Sequence, residues 1–184
     1  MQYQNLSLFS VPTTFRGRSK ITVQIWWIVQ ATLFAWSPQV LYGWRVFLLR
    51  LFGAVIGKDV KIRPSAKVTY PWLLSIGDYS WIGDECTLYN LDKITIGKNV
   101  VISHKSYINT GGHDYQKVSF DIFSKPVILE DECWITSDVY VAPGVTVGKG
   151  SIISARSSVL KNIPSGKICI GTPAKPIKDR IIIE

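Results

Sequence analysis

The sequence predicts an all-β protein folded as a parallel β-helix of about five coils. The main observation is an aliphatic residue at every sixth position over most of the chain. These positions are Ile56, Ile62, Val68, Ile76, Ile82, Leu88, Ile96, Ile102, Ile108, Leu129, Ile135, Val141, Val147, Ile153 and Val159. A coil with three short sides needs one inward aliphatic side chain per side, so three hexapeptides make one coil.

A second observation concerns the residues between these aliphatic positions. A small residue usually lies four positions after the aliphatic one, and the residue directly after it is often Gly. Gly, Asn and Asp also collect where corners are expected, as in the Ile-Gly-Lys-Asp segment at 56–59. These residue types tolerate positive φ at little steric cost. We therefore expect larger residues to strain the corners.

The spacing divides the chain into three segments. Repeats occupy residues 56–164 and are interrupted by a loop at 109–128. Residues 1–55 precede them as an N-terminal helical cap segment, and residues 165–184 follow as a short C-terminal segment. A chain of 184 residues is long enough for one continuous core with modest appendages.

The N-terminal segment is apolar and rich in tryptophan. Its run at residues 25–36 is followed by Pro38 and is too short to span a bilayer. Residues 40–52 place apolar side chains at helical spacing, with Arg45 and Arg50 to one side. We expect two amphipathic helices that cover the open first coil. The alternative is a peripheral membrane contact through the tryptophans.

Composition restricts the partners. Lys and Arg total 21 against 13 acids, for a net charge of +8, which suits anionic ligands. The charges are scattered and no nucleic-acid motif is present, so we expect no nucleic-acid partner. Cys86 and Cys133 occupy small-residue positions, which argues against a structural disulfide. The N-terminus lacks the pattern of a secretory signal, so we expect a cytoplasmic protein.

The loop at 109–128 carries the most prominent chemical feature. His113 is one of two histidines in the chain, follows Gly111 and Gly112, and precedes Asp114. Long loops within compact repeats are more often functional than accidental. The other histidine, His104, falls at a predicted corner. Two histidines do not supply a three-histidine zinc site, and we expect no metal.

Several motifs in order carry a family resemblance. They are Ile-Gly-Lys-Asn at 96–99, Asn-Thr-Gly-Gly-His-Asp at 109–114, Cys-Trp-Ile at 133–135, Val-Ala-Pro-Gly-Val-Thr-Val-Gly at 141–148, Ile-Pro at 163–164 and Gly-Thr-Pro-Ala at 171–174. This order resembles hexapeptide-repeat acetyltransferases of the galactoside and maltose type over about residues 56–180. Upstream segments, such as Tyr-Pro-Trp at 70–72, look more narrowly like the colanic-acid or exopolysaccharide O-acetyltransferase branch.

The resemblance implies a left-handed β-helix and acetyl-CoA as the acetyl donor. It implies a homotrimer in which the loop histidine of one subunit faces the CoA groove of the next. His113 matches the general base, a role that suits imidazole near neutral pH. Asp114 either orients that ring or bonds its own loop. The matching cofactor positions are Trp134, Ser137, Ala155, Lys161, Gly171 and Lys178.

The acceptor site departs from the family pattern. Galactoside-type members place an acceptor-binding Asn where this chain has Gly83, so acceptor identity does not carry over. Asp84, Glu85 and Asn90 are the nearby candidates for binding sugar hydroxyls.

The predicted function is O-acetylation of a sugar hydroxyl in a surface-polysaccharide precursor. A lipid-linked saccharide acceptor goes with the membrane-contact alternative for the N-terminal helices, and it would place the enzyme at the inner face of the membrane. Two alternatives stay open. One is N-acetylation of an amino sugar, which needs the same base and donor. The other is a catalytically silent β-helix that serves as an assembly scaffold.

Overall fold

The computed structural model describes residues 2–183. A short 3₁₀ helix (Leu6–Leu8) is followed by two α-helices, α1 (Lys20–Val29), extended by a π-helical turn (Gln30–Phe34), and α2 (Tyr42–Leu51). The strands are β1 (Val55–Ile56), β2 (Lys61–Ile62), β3 (Lys67–Val68), β4 (Leu74–Ile76), β5 (Trp81–Ile82), β6 (Thr87–Tyr89), β7 (Ile94–Ile96), β8 (Val101–Ile102), β9 (Tyr107–Asn109), β10 (Gly111–His113), β11 (Ile122–Ser124), β12 (Val127–Leu129), β13 (Trp134–Ile135), β14 (Tyr140–Val141), β15 (Thr146–Val147), β16 (Ile152–Ile153), β17 (Ser158–Val159), β18 (Lys167–Ile170) and β19 (Lys175–Asp179).

Most strands stack into three parallel sheets that form the sides of a prism. Sheet 1 has the order β1-β4-β7-β12-β15, and sheet 3 has the order β17-β14-β9-β6-β3. Sheet 2 has the order β19-β18-β16-β13-β8-β5-β2, in which only β19 is antiparallel to its neighbour. The chain passes from sheet 1 to sheet 2 to sheet 3 in each coil. We call the corner after sheet 2 the 2–3 edge and the corner after sheet 3 the 3–1 edge.

The predicted core is confirmed. All fifteen aliphatic residues of the six-residue pattern are at most 7% exposed. They pair in register from coil to coil, for example Ile82 with Ile102 and Ile102 with Ile135. Serines in the small-residue positions are also buried and bond to the next coil. Ser80, Ser106 and Ser151 donate to its carbonyls, as Ser80 Oγ does to Gly97 O at 2.7 Å, whereas Ser157 Oγ accepts from the N–H of Gly171.

The corners correct one expectation. Asp59 and Asn99 do have positive φ, but so do Tyr79, Lys105 and Arg156, which are large residues. Open space outside the prism accommodates their side chains. Glycine is needed instead directly after the aliphatic residue, where the next coil lies very close. A Cβ on the glycine at 77 would lie 2.6 Å from the backbone of the following coil.

Helix α1 covers the third side of the first coil. Trp26 is fully buried, and its Nε1 donates to the carbonyl oxygen of Val68 at 2.8 Å. The backbone N–H of Val68 donates to Gln30 Oε1 at 2.6 Å. These side chains satisfy strand groups that have no neighbouring strand at this end of the sheet.

Helix α2 covers the other two sides, and here Arg45 differs from expectation. Arg45 is fully buried and does not lie on an exposed face. Its Nε donates to Ile62 O at 2.6 Å, while Arg50 Nη2 donates to Ile56 O at 2.7 Å. An apolar side chain at position 45 would leave the Ile62 carbonyl unsatisfied, which explains why a charged residue is buried there.

The solenoid continues beyond residue 164. Ile163 bridges to Val147, and β18 pairs in parallel with β16, so a sixth coil begins before β19 turns back. Cys169 is fully buried and fills the inward position of this coil. Within residues 2–183, no helix is both long and apolar enough to cross a membrane.

Candidate functional site

The histidine loop leaves the solenoid at the 3–1 edge. Strand β9 ends sheet 3 at Asn109, and the chain rejoins sheet 1 at Val127. Between them β10 and β11 form an antiparallel hairpin in which His113 pairs with Ile122. The histidine therefore lies on a short, hydrogen-bonded strand at the root of the loop, and its backbone is held in place.

Phe120 determines how the His113 ring is held. His113 Nδ1 lies 2.8 Å from the carbonyl oxygen of Phe120, and the two rings stack at 4.4 Å with a 5° angle between planes. Phe120 has a φ of +53°, an uncommon value for a bulky residue that occurs more often at functional sites. A carbonyl oxygen only accepts hydrogen bonds, so this contact places the proton on Nδ1. Nε2 then keeps its lone pair and is able to accept a proton.

Asp114 does not orient the ring. Its Oδ1 accepts from the backbone N–H of Gln116 at 3.0 Å, and its own N–H donates to Asp121 O. Asp114 therefore stabilises the loop, and the carbonyl of Phe120 takes the orienting role. The sequence did not identify Phe120, because its contribution is a backbone carbonyl, which every residue has.

Gly111 and Gly112 allow close packing within the protein. A Cβ at Gly111 would lie 2.6 Å from Leu91 Cδ1, and one at Gly112 would lie 2.8 Å from Phe123 Cζ. Phe9 of the N-terminal segment also reaches this site, with its ring 5.4 Å from that of His113. The loop root is thus enclosed by aromatic and aliphatic side chains.

A second group of predicted residues lies along the 2–3 edge. The backbone ladder places Asp84, His104, Ser137 and Ala155 at equivalent corner positions of successive coils. Gly171 continues this column one coil further, since its N–H donates to Ser157 Oγ at 3.0 Å. Coils lie about 4.8 Å apart, so the column runs for roughly 20 Å along the prism. We call this column, with the adjoining outer face of sheet 2, the edge groove.

Trp134 projects from sheet 2 into the edge groove. It is 44% exposed, and its Nε1 donates to Ser103 Oγ at 3.0 Å. Lys178, on β19, lies at the end of the same sheet and is exposed. Five of the six predicted cofactor residues therefore share one side of the molecule. Lys161 is the exception, because it follows β17 at the 3–1 edge.

His104 is a groove residue that sequence reasoning left without a role. Its Nδ1 lies 3.3 Å from Ser137 Oγ, one coil away. Both residues line up because the corner of each coil repeats in register. Counting the register across the loop would have placed His104 beside Ser137, but the 21-residue gap from Ile108 to Leu129 obscured that alignment.

A cavity of about 350 Å³ opens at the lower end of the edge groove. It is lined by Tyr42, Lys61, Arg63, Trp81, Ile82, Gly83, Asp84, Val101, Ile102, Ser103 and His104. Asp84 is held there by Arg63 Nε at 3.1 Å and by Ser65 Oγ at 2.9 Å. The cavity thus combines aromatic surface with oriented polar groups, which suits a saccharide.

The other acceptor candidates do not line this cavity in the same way. Asn90 is fully buried and bonds the backbone of Tyr70, accepting from its N–H at 3.0 Å, so it is a structural residue and not a sugar ligand. Glu85 is exposed at a corner with positive φ. At Gly83 a Cβ would lie 2.8 Å from the backbone N of His104, so no side chain fits there.

The three cysteines do not supply a nucleophile. All are free and buried. Burial raises the pKa of the Cys86 and Cys133 thiols to about 11, so both stay protonated near neutral pH. A direct transfer to the acceptor fits this site better than a route through a cysteine.

His113 and the edge groove lie on different edges of the same chain. The side between them, sheet 3, runs from the corner at His104 to the corner at Thr110. Six residues of strand at about 3.3 Å each separate the two edges by roughly 20 Å. One chain by itself does not bring the histidine to the groove.

Parallel hexapeptide coils, a histidine on an inserted loop and a groove along one edge define a class, the hexapeptide-repeat acyltransferases. Comparison with known proteins supports this class, although no protein-family model matches the chain. A protein described as "Putative colanic acid biosynthesis acetyltransferase WcaF" from Escherichia coli K12 is 58% identical over 181 residues, covering 98% of this chain and 100% of its own length. Galactoside O-acetyltransferase from the same organism is 28% identical over 73% of this chain and 68% of its own length.

Solved structures agree in fold. A maltose O-acetyltransferase from Clostridium difficile 630 superposes with a TM-score of 0.79 at 26% identity, over 88% of this chain and 89% of the other. A galactoside acetyltransferase in complex with coenzyme A gives 0.80 at 22% identity, over 94% and 92%. The chain belongs to the hexapeptide-repeat acetyltransferase family, and within it to the branch of the colanic acid biosynthesis relative. It is an acyltransferase with a left-handed parallel β-helix.

Proposed function

We propose that this enzyme transfers an acetyl group from acetyl-CoA to a hydroxyl of a saccharide in surface-polysaccharide biosynthesis. The observation that carries the proposal is the His113 ring, whose Nδ1 is held by the Phe120 carbonyl while Nε2 is left to accept a proton. The relative at 58% identity is named for colanic acid biosynthesis, which supports an exopolysaccharide acceptor.

His113 acts as the general base in the proposed reaction. Nε2 removes the proton from the acceptor hydroxyl while that oxygen attacks the thioester carbonyl carbon. A C–O bond to the acetyl group forms, the C–S bond breaks, and the proton passes from Nε2 to the departing thiolate. The Phe120 carbonyl stabilises the imidazolium that exists between the two proton transfers, because Nδ1–H donates to it throughout.

The edge groove is the proposed site of the acetyl-CoA arm. Trp134 offers an exposed ring, Ser137 and Ala155 form the adjoining edge, and the Gly171 turn closes it. Its roughly 20 Å length suits a long unbranched chain. Lys178 lies at the far end and is placed to pair with a phosphate. Solved relatives of the same fold contain coenzyme A or acetyl-CoA, which supports this donor.

We further propose a homotrimer with the site between subunits. The support is the separation of His113 from the edge groove within one chain. Packing of three prisms side by side brings the 3–1 edge of one chain to the 2–3 edge of the next. Lys161, at the 3–1 edge, then approaches the donor from the neighbouring subunit together with His113.

Subunit complementation tests this arrangement. His113→Ala and Trp134→Ala are each expected to be weakly active at low acetyl-CoA concentration. Mixed trimers of the two variants should regain about a quarter of the parent rate, because one interface in four combines an intact His113 with an intact Trp134. Turnover is measured after dissociation and reassociation of the mixture. Activity should not recover when Trp134→Ala is mixed with the double variant H113A/W134A, because no subunit then has an intact Trp134. If activity recovers in neither mixture, the site lies within one chain.

The acceptor class is tested by an acetyl-CoA consumption assay. The expected result is turnover with neutral glycosides, above all with saccharides carried on a lipid, as at the cytoplasmic face of a membrane. Amino sugars with blocked hydroxyls should give no turnover. Turnover with these amino sugars alone would assign the enzyme as an N-acetyltransferase. Absence of turnover, with no thermal stabilisation by acetyl-CoA, would indicate a scaffold.

A further inference from the structure

The outward face of α1 is apolar, although its inward face already makes the contacts that close the first coil. Val23 and Trp26 point inward and are fully buried. Ile21, Ile25 and Ile28 form a stripe on the other side and are 72%, 48% and 63% exposed. A surface helix normally presents polar residues on its solvent side. This stripe has no partner among the described residues.

The connection to α2 and the outer side of α2 extend this apolar surface. Trp36 is 86% exposed and Val40 is 78% exposed. Trp44 joins the two helices, since its Nε1 donates to Leu33 O at 3.0 Å and its ring stacks on Phe47 at 5.7 Å. A shallow groove lies between them, lined by Thr32, Leu33, Trp36, Ser37, Pro38, Leu41 and Trp44. We call the α1 stripe and this surface together the helical apolar face.

The charge within the N-terminal segment that carries the helical apolar face has one sign. Residues 1–58 contain six basic residues and no acidic residue, so they carry six of the eight net positive charges. Arg45 is buried, but Arg18 and Lys20 are exposed at the start of α1, Arg50 is exposed in the last turn of α2, and Lys58 is exposed after β1. The first acid in the chain is Asp59. Exposed tryptophans and aliphatic residues on a segment whose only charged residues are basic are typical of a helix that lies in a membrane interface.

We propose that the helical apolar face docks this enzyme onto the surface of an anionic phospholipid bilayer. Both helices lie flat on the interface, with Trp36 and its apolar neighbours among the acyl chains and the basic residues at the headgroups. The capped end of the prism faces the bilayer. The His113 loop leaves the third coil, which is roughly 15 Å above that end at about 4.8 Å per coil. This inference concerns location and stands independently of the proposed catalysis.

Vesicle flotation with the full chain tests the proposal. The protein should float with vesicles that contain phosphatidylglycerol at about 50 mM NaCl and should float weakly with phosphatidylcholine alone. At about 500 mM NaCl the difference between the two vesicles should shrink, because salt screens the headgroup attraction. The double variant W36S/V40S should reduce the partition coefficient roughly tenfold or more, because two exposed apolar side chains no longer enter the bilayer.

The matched control is I181S/I183S, which removes two apolar residues that are 82% and 92% exposed at the opposite end of the chain. This control should float like the parent protein. Light scattering of W36S/V40S should show the parent's oligomeric state. Lack of flotation by the parent at low salt would overturn the proposal. Normal flotation of W36S/V40S would also overturn the proposal. So would dissociation of the W36S/V40S oligomer, because it would show that the helical apolar face is a contact between copies of this chain.

Discussion

His113→Ala is expected to lower kcat by about 10² to 10⁴, the usual contribution of a positioned general base. Binding of acetyl-CoA and folding should change little, because the ring stacks on Phe120, approaches Phe9 and is not part of the solenoid core. Steady-state rates with a saturating acceptor give kcat, and the thermal shift produced by acetyl-CoA reports binding separately.

His104→Ala serves as the comparison for this prediction. His104 lies in the edge groove beside Ser137, so its loss should act mainly on KM and should leave most of kcat. Parent-level kcat in the His113 variant would remove His113 from the chemistry. A collapse of kcat in the His104 variant alone would move the base to the groove.

Arg45→Met is expected to lower the free energy of unfolding by about 3 kcal/mol, through the loss of charge-assisted hydrogen bonds to buried acceptors. Its guanidinium donates to Ile62 O and also to Ser37 Oγ at 2.8 Å, Pro38 O at 2.9 Å and Gln39 O at 2.6 Å. Burial lowers the pKa of Arg45 from its usual value, and these oxygens compensate for the lost hydration. For a chain of this size the melting temperature should fall by roughly 6 to 12 °C.

Arg50→Met provides the matched control on the same helix. Arg50 also donates to a first-coil carbonyl, that of Ile56, but it is exposed to solvent. Water can replace its bonds, so the expected loss is about 1 kcal/mol or less. Thermal and urea unfolding of both variants measure the difference. Equal melting temperatures for Arg45→Met and the parent would show that the buried guanidinium does not stabilise the cap.

Much of the fold was predictable because a solenoid makes every coil obey the same local rule. Each coil needs an inward aliphatic residue six positions after the last one, and this is visible in a single sequence. The prediction was wrong at the corners. Tyr79 adopts a positive φ there, although we expected only Gly, Asn and Asp at such positions. A side chain that points away from the prism meets no neighbouring coil, and only the folded chain shows that this space is open.

The candidate site was partly predictable. The break in the repeats located His113, and the family motifs located Trp134 and Ser137. Asn90 was misassigned because sequence spacing placed it near the acceptor region but did not show that it points inward to Tyr70. The burial of Arg45 was not visible in the sequence, since a charged residue beside an apolar helix face is usually solvated.

By itself, the sequence determined the period, the inward residues, the loop and the histidine on it, because each of these depends on residues close together along the chain. Only the tertiary structure decided which distant groups meet. The Phe120 carbonyl reaches His113 Nδ1 across a hairpin, and Arg45 reaches Ile62 from another segment. The tertiary structure also placed His113 and the edge groove on separate edges of the prism. The number of residues in each side of a coil determines the edge at which a given side chain projects.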